Sequence, residues 1–222
     1  WGKIEMLSDV PTDIRNHWEA LKDWTNHHLS GSTQNYQPIE LFPFVRSIMD
    51  KISQLSSHRN ININVEGESF LFITIDPAIL RDIIEGLVKN AIENTPDGGF
   101  IEITIEQKKD KIWLHVKDYG IGITEENQQY IFDGLFHTKE TDLYSSKKPY
   151  DFGAGGKGLD LLRMKINGRR FGFDISCKSK RCIYIPTDQD ICPGNISMCQ
   201  YCTSPDDCKK SGGSVFSVSF SA

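Results

Sequence analysis

A strand-like run that ends in one carboxylate and two glycines constrains this chain most. Apolar and polar residues alternate over 111–117, which predicts a strand with one buried face. Asp118, Gly120 and Gly122 follow at once. A carboxylate accepts a hydrogen bond from an exocyclic amine, and glycines let the backbone turn tightly and approach a flat ring or a phosphate. The pattern indicates a purine pocket at the mouth of a sheet, although ordinary tight turns use the same residues.

Hydrophobic periodicity changes along the chain between the spacing of helices and that of strands. We expect helices over residues 13–29, 41–57, 77–96 and 159–166, and one short helix within 125–136. Strands are expected over 61–65, 70–75, 100–106, 112–116, 173–176 and 214–220. The two strands at 61–65 and 70–75 are expected to form a hairpin. The connection over 137–158 is too long for a routine loop, so we expect it to act as a lid over a site.

Composition narrows the class of protein. The chain has 222 residues, of which 38% are hydrophobic and 25% charged, so it is long enough to bury a full core. A net charge of −5 argues against a nucleic-acid-binding surface. No apolar run approaches the roughly 18 residues of a membrane span, and no signal peptide is visible. We expect a soluble intracellular protein, and a first residue other than Met suggests a fragment of a longer one.

Two further features have chemistry of their own. Asn90 lies on a predicted helix among polar neighbours, so its amide oxygen is suited to a magnesium ion carried by phosphates. The glycine-rich run 153–158 precedes another helix, where free backbone N–H groups and the helix dipole favour phosphate oxygens. Each feature alone has a plain alternative, a solvated helix face for Asn90 and an ordinary loop for the glycines. Their order along the chain is more specific than either.

That order resembles the Bergerat-fold ATPases, the superfamily of gyrase, the heat-shock chaperone, histidine kinases and MutL. It is most similar to the catalytic ATP-binding domain of a sensor histidine kinase. Residues 87–99 resemble the N box of that family, 118–122 its G1 box, 131–139 its F box and 156–161 its G2 box. The resemblance implies an α+β fold, a two-layer α/β sandwich in which a mixed sheet packs against about three helices.

The resemblance also implies roles for individual residues. Asn90 would hold magnesium, Asp118 would accept the adenine amino group, and Lys139 would contact the phosphates, so that Asn90 and Lys139 are the candidate catalytic residues. The implied ATP-binding residues are Asn90, Asn94, Asp118, Gly120, Gly122, Phe132, Thr138, Lys139, Gly156, Lys157, Gly158 and Leu159. Phosphoryl transfer asks mainly for positioning and charge neutralisation, which such a set provides.

Some positions depart from the family pattern. Hydrolytic members carry a glutamate four residues before the asparagine, where this chain has Gly86, and Glu85 lies off that helical face. The departure favours transfer of phosphate to a partner over hydrolysis. At the positions three and four after Asn90 this chain has Glu93 and Asn94, and this resembles the nitrogen-regulation type of sensor kinase. Asp160 replaces the third glycine of the G2 box, which puts the ordered form of the lid in question.

The phosphoacceptor histidine is expected elsewhere. None of the six histidines has the acidic neighbour and the later proline typical of an acceptor. We expect residues 1–34 to be the end of a truncated dimerisation helix with its linker, and residues 35–222 to be the catalytic domain. The expected partners are the upstream phosphoacceptor domain, a response regulator and a second copy in the full-length protein, with no nucleic acid. We expect a cytoplasmic domain, whether or not the full-length protein is membrane-anchored.

Two other function classes stay open. One is a serine-type regulatory kinase on the same fold, and the other is a module whose nucleotide site has decayed and whose cysteines carry the function. The last hairpin is expected to hold a cysteine-rich insertion over 177–212. Four of its cysteines fall within one stretch of 17 residues. This clustering predicts zinc, with an iron–sulfur cluster, disulfides or free thiols as alternatives. The expected ligands are Cys192, Cys199, Cys202 and Cys208, with Cys177 and Cys182 just upstream.

Overall fold

A computed structural model describes residues 35–133, 148–154 and 159–221 of the chain. The strands are β1 (Gln37–Glu40), β2 (Asn62–Gly67), β3 (Phe72–Ile75), β4 (Phe100–Lys108), β5 (Lys111–Asp118), β6 (Phe173–Lys180) and β7 (Gly213–Ser221). The helices are α1 (Leu41–Leu55), α2 (Pro77–Asn94), α3 (Glu125–Gln128), α4 (Asp160–Phe171) and α5 (Pro205–Ser211). A 3₁₀ turn covers Ile196–Met198. Within these ranges no helix is long and apolar enough to cross a membrane.

Five of the strands form one mixed sheet, in the order β2-β4-β5-β7-β6. The outer strand β2 runs parallel to β4, and the other neighbours are antiparallel. Helix α2 lies in the crossover from β2 to β4, as a parallel pair requires. β1 and β3 form a separate antiparallel pair. The predicted α+β fold with a mixed sheet and about three long helices is confirmed.

Alternation along the central strands decides which side chains face the helices. In β4 every second residue is buried, namely Ile101, Ile103 and Ile105. In β5 the buried set is Ile112, Leu114, Val116 and Asp118. Because successive side chains of a strand point to opposite faces, Asp118 shares the core-facing side with three aliphatic residues. A carboxylate at the end of that side is therefore removed from bulk water.

Helix α2 begins where the sequence predicts. Asp76 is its N-cap and accepts a hydrogen bond from the backbone N–H of Ala78 at 2.9 Å, and Pro77 occupies the first turn. Its wide apolar face is buried from Ile79 to Ile92, which fits a helix lying against the sheet and against α1 and α4. The helix ends at Asn94, and the next residue, Thr95, is fully buried.

The predicted hairpin of β2 and β3 is wrong. Phe70 takes a positive φ of 63° and its N–H bonds the Glu40 carboxylate at 2.8 Å, so the chain turns toward β1. β3 then pairs with β1, a segment that the sequence did not predict as a strand. β2 pairs instead with β4 across the α2 crossover. The short helix expected within 125–136 is α3, and α4 runs five residues further than predicted, to Phe171.

Candidate nucleotide site

Asp118 ends β5 as a buried carboxylate, with 3% of its surface exposed. Its Oδ1 accepts the backbone N–H of Gly120 at 3.0 Å and that of Ser214 at 3.2 Å. Both bonds reach the same oxygen, so Oδ2 is clear of these two donors. Burial nevertheless outweighs them and raises the pKa of Asp118 from 3.8 to about 7. The group is an acceptor held in a low-dielectric setting, where a donor from a ligand gains most.

The two glycines after Asp118 lie against neighbouring backbone. A Cβ on Gly120 would collide with the carbonyl oxygen of Asn94, and one on Gly122 would collide with that of Lys180. Gly122 also has a φ of 65°, a conformation that other residues rarely adopt. The Ile121 N–H donates to the Asn94 carbonyl at 3.1 Å. This turn is thus wedged between the end of α2 and the end of β6. The approach of the same glycines to a ligand ring or phosphate stays a prediction.

The last turn of α2 brings the predicted magnesium residue to the same region. Asn90 is half-buried, and its carbonyl accepts the side-chain amide of Asn94 at 2.8 Å. Asn94 is exposed, and its own carbonyl is the one that receives Ile121. The amide oxygens here are hard ligands of the kind that magnesium prefers. The structure therefore places Asn90, Asn94 and the turn after Asp118 along one edge of the fold.

Gly86, where a hydrolase would carry its glutamate, faces helix α4. A Cβ at this position would meet the terminal methyl of Met164. Glu85 instead forms an ion pair with Lys51 at 3.3 Å. Glycine at position 86 lets two helices pack closely, and neither residue supplies a general base beside Asn90.

Glu93 is a buried carboxylate that the sequence did not single out as a contact. It is 2% exposed and forms an ion pair with Lys89 at 3.6 Å. It also accepts the backbone N–H of Tyr150 at 3.1 Å, and its own carbonyl accepts the N–H of Gly153 at 2.7 Å. Burial raises its pKa above the usual 4.5, and Lys89 opposes that shift. Glu93 therefore ties the segment 148–154 to α2.

Arg59 holds the other side of that segment. Its side chain is 5% exposed, and its Nε bonds Asp97 at 2.9 Å. Its remaining nitrogens donate to the carbonyls of Ile92, Thr95 and Tyr150 at 3.1, 2.7 and 2.6 Å. A guanidinium matches such a set because its donors spread in one plane. One side chain thus joins the end of α2 to residues 148–154, the described part of the long connection.

Several predicted site residues lie outside the described part of the chain, namely Thr138, Lys139, Gly156, Lys157 and Gly158. Phe132 is half-buried against the core, and the ammonium of Lys165 lies 5.8 Å from its ring centroid. Leu159 is buried at the N-terminal end of α4. The structure therefore positions these two as packing residues at the border of the site.

Sequence reasoning missed Ser214, Glu93 and Arg59. Ser214 follows two glycines at the start of β7 and reaches Asp118 because β5 and β7 are paired, Asp118 opposite Ser214. Its signal was the Gly-Gly-Ser run before an alternating strand. Arg59 lies in no motif, and the position of Glu93 inside the N-box segment does not reveal its backbone partners, because Tyr150 and Gly153 come near it only in the folded chain.

The cysteines gather around one pocket. The connection between β6 and β7, residues 181–212, is here called the cysteine-rich connection. A pocket of about 230 Å³ is lined by five thiols, namely Cys182, Cys192, Cys199, Cys202 and Cys208. None of the six cysteines forms a disulfide in the described part of the chain. Among the described residues, no group of three or more His, Cys, Asp or Glu side chains is already arranged to hold a metal ion.

Cys177 lies apart from that pocket, on β6. Burial and the nearby Asp118 charge raise the pKa of its thiol to about 12. Cys177 is opposite Phe216 of β7, so its side chain belongs to the sheet and not to the connection. The two upstream cysteines therefore divide, since Cys182 borders the pocket and Cys177 does not.

Residues 75–221 match the family described as Histidine kinase-, DNA gyrase B-, and HSP90-like ATPase. The match covers more than half of the chain, so the chain belongs to this family. BarA of Escherichia coli K12, a signal transduction histidine-protein kinase, is 30% identical over 154 residues, which are 64% of this chain and 16% of BarA. Sensor histidine kinase WalK of Bacillus subtilis is 24% identical over 143 residues, 64% of this chain and 22% of WalK. The chain spans about a fifth of the length of these curated relatives.

Solved structures give the same fold. The catalytic domain of histidine kinase ThkA has a TM-score of 0.58 at 22% identity, covering 84% of this chain and 95% of that domain. ThkA in complex with the response regulator TrrA has a TM-score of 0.61 at 19% identity, covering 95% and 48%. Together with the family match, these structures give this chain the fold of a histidine kinase catalytic domain.

Proposed function

We propose that this domain binds magnesium ATP and passes the γ-phosphoryl group to a histidine on an upstream helical domain. The observation that carries the proposal is Asp118, a buried acceptor at the end of β5 whose Oδ2 is clear of the Gly120 and Ser214 backbone donors. An adenine amino group donates to such an oxygen, whereas guanine presents a carbonyl there. Discrimination between donor and acceptor in a buried site is strong, because the wrong ligand leaves the carboxylate unpaired.

The other residues take roles around that anchor. Asn90 offers an amide oxygen to magnesium, which when bound neutralises charge on the phosphates. The turn at Gly120 and Gly122 supports the ring, and Lys139 with the glycine run 156–158 is proposed for the phosphates. Because Gly86 faces α4, the domain has no carboxylate there to activate water. This arrangement favours transfer over hydrolysis.

The partners follow from this reaction. We place the phosphoacceptor histidine on an upstream dimerisation domain, with residues 1–34 as the link to it and a response regulator as the final acceptor. The solved complex of ThkA with its response regulator supports a partner of that class. A metal at Cys192, Cys199, Cys202 and Cys208 is part of the proposal, zinc ahead of an iron–sulfur cluster, because Cys199 and Cys202 have the two-residue spacing of a thiolate pair.

Nucleotide titration tests the proposal. A fluorescent ATP analogue with magnesium is expected to bind the intact domain and to be displaced by ATP but not by GTP. Asp118→Asn is expected to lower the affinity at least about ten-fold, since hydrogen bonds to charged groups contribute about 1.5–3 kcal/mol. The matched control is Asp110→Asn, a change at an exposed aspartate of the β4–β5 hairpin.

The phosphorylated product separates the kinase classes. With the upstream domain restored, ATP is expected to label a histidine, and the label is expected to be lost in acid and kept in base. An acid-stable label would identify a serine-type kinase on the same fold. Absence of any nucleotide binding by the intact domain would contradict both and would leave the cysteine module as its function.

A further inference from the structure

The cysteine-rich connection (181–212) has very little core of its own. Its buried apolar side chains are Ile185, Ile196 and Cys202, whereas Ile191 is 83% and Met198 70% exposed. A segment of this length is not held by so small a buried surface, and comparable small units rely on disulfides or a metal. Something other than hydrophobic burial therefore has to stabilise its path.

The thiols are placed to provide that stabilisation. Cys202 is buried and shares hydrogen bonds with the thiols of Cys199 and Cys208. Cys208 and Cys192 line the same pocket as these thiols. Cys182 differs, because its thiol bonds the hydroxyl of Ser211 at 3.4 Å. Four thiols thus line one pocket, and the fifth, Cys182, is bonded to Ser211.

The connection also supports both sides of the nucleotide site. The Cys182 N–H donates to the carbonyl of Ile121 at 2.9 Å, and Arg181 donates to the carbonyl of Gly122 at 3.2 Å. These bonds hold the turn that follows Asp118. At the end of α2, the Asp97 N–H bonds Gly194 at 2.9 Å.

A second bond completes the contact with the end of α2. The N–H of Ile196 donates to the carbonyl of Asp97 at 2.9 Å, so Asp97 and Asn195 form a parallel bridge. The bridge lies between Cys192 and Cys199 in the sequence, and the Ile121 bond is made by Cys182 itself. The backbone that carries the thiols therefore contacts two parts of the site, the turn after Asp118 and the residues that follow α2.

We infer that Cys192, Cys199, Cys202 and Cys208 bind one zinc ion, and that zinc occupancy sets the affinity of the adjoining site for magnesium ATP. The inference rests on the proposed function for its nucleotide. Binding releases four thiol protons to solvent and forms four Zn–S bonds of about 2.3 Å, with no change of oxidation state. The four side chains turn inward to meet the ion, since they are not yet arranged around one position.

The sign of the coupling follows from the contacts. Zinc fixes the connection in the form that bonds Ile121 and Asp97, so zinc and nucleotide favour the same arrangement. Removal of zinc frees the turn at 119–123, and nucleotide binding then has to order it again. Coupling between sites typically amounts to about 5–150-fold in affinity, and we expect about ten-fold here.

Zinc content and nucleotide affinity, measured on the same samples of the full 222-residue chain, test the inference. Reduced protein purified without oxygen is expected to contain one zinc per chain, released by a thiol-modifying mercurial. Cys202→Ser is expected to lose the zinc and to bind the fluorescent ATP analogue about ten-fold more weakly. Cys182→Ser, which keeps the four ligands, is expected to retain both. Chelation of the wild type and readdition of zinc chloride should weaken and then restore nucleotide binding.

Each of the other outcomes would contradict one part of this inference. Iron with a visible absorption band, stable disulfides, or no metal in reduced protein would contradict the zinc site. Loss of zinc without change in nucleotide affinity would contradict the coupling. Zinc loss in Cys182→Ser would contradict the choice of ligands. If zinc-loaded wild type bound no nucleotide at all, the proposed function would fail, while the zinc stoichiometry would still report on the site.

Discussion

Replacing the buried Asp118 by Asn is expected to stabilise the nucleotide-free domain at neutral and basic pH. The carboxyl has a pKa of about 7 in the folded chain against 3.8 when unperturbed. The folded state therefore binds more protons than the unfolded state between these values, so stability falls as pH rises through that window and levels off above pH 7. Below about pH 4 both states are protonated, and the effect disappears.

The size of the effect follows from the two pKa values. They differ by about 3, which corresponds to about 4 kcal/mol of unfolding free energy at pH 8. The Asn side chain keeps an oxygen for the Gly120 and Ser214 donors but adds a buried NH₂ group. An unsatisfied donor of that kind costs about 1–3 kcal/mol. We therefore expect a net gain of about 1–3 kcal/mol at pH 8, together with the loss of nucleotide affinity described above.

Urea unfolding followed by circular dichroism, without nucleotide, measures this at steps between pH 4.5 and 8.5. The wild type is expected to lose stability across the range, and Asp118→Asn to lose less. Asp110→Asn, an exposed change on the β4–β5 hairpin, controls for the altered net charge. The reasoning is refuted if Asp118→Asn is less stable than the wild type at pH 8, or if both curves have the same slope.

Three further changes test the walls of the site. Gly122→Ala places a Cβ against the Lys180 carbonyl at a φ of 65°, so we expect a loss of about 2 kcal/mol and of ATP-analogue binding. Arg59→Ala removes a buried donor and leaves four acceptors without it. Urea unfolding is expected to show a destabilisation of about 3–5 kcal/mol, and Arg59→Lys is not expected to restore the stability. Glu93→Gln removes a carboxyl whose pKa is raised by burial, so its stability relative to wild type is expected to be higher at pH 8 than at pH 5.

Controls and contrary results differ among the three. Gly67→Ala, at a glycine far along β2, also crowds its neighbours and separates general overpacking from loss of the site. A fully stable Gly122→Ala that binds nucleotide would contradict the close approach. Rescue by Lys at position 59 would show that charge alone suffices there. A Glu93→Gln variant whose relative stability is lower at pH 8 than at pH 5 would reverse the sign argued from burial.

Local pattern was enough to predict much of the fold. Alternation over 111–117 predicts β5, and the Asp76-Pro77 pair predicts the start of α2. The β2–β3 hairpin failed because pairing is a choice between distant partners. The bond from Phe70 to Glu40 and the crossover through α2 decide which strands pair. Neither contact produces a periodic pattern of apolar residues in the sequence.

The sequence by itself singled out the residues on which the proposed chemistry rests: Asp118 with its two glycines, Asn90 on the preceding helix, and a cluster of thiols. These residues are recognisable because their types and their short spacing along the chain already indicate a tight turn, a hydrogen-bond acceptor and a thiol cluster. Only the tertiary structure decided that Asp118 is buried with a raised pKa, and that Ser214 bonds it across 96 residues. It also decided that the cysteine-rich connection bonds the turn after Asp118. Burial and long-range backbone bonds depend on where the whole chain packs, so no short stretch of sequence encodes them.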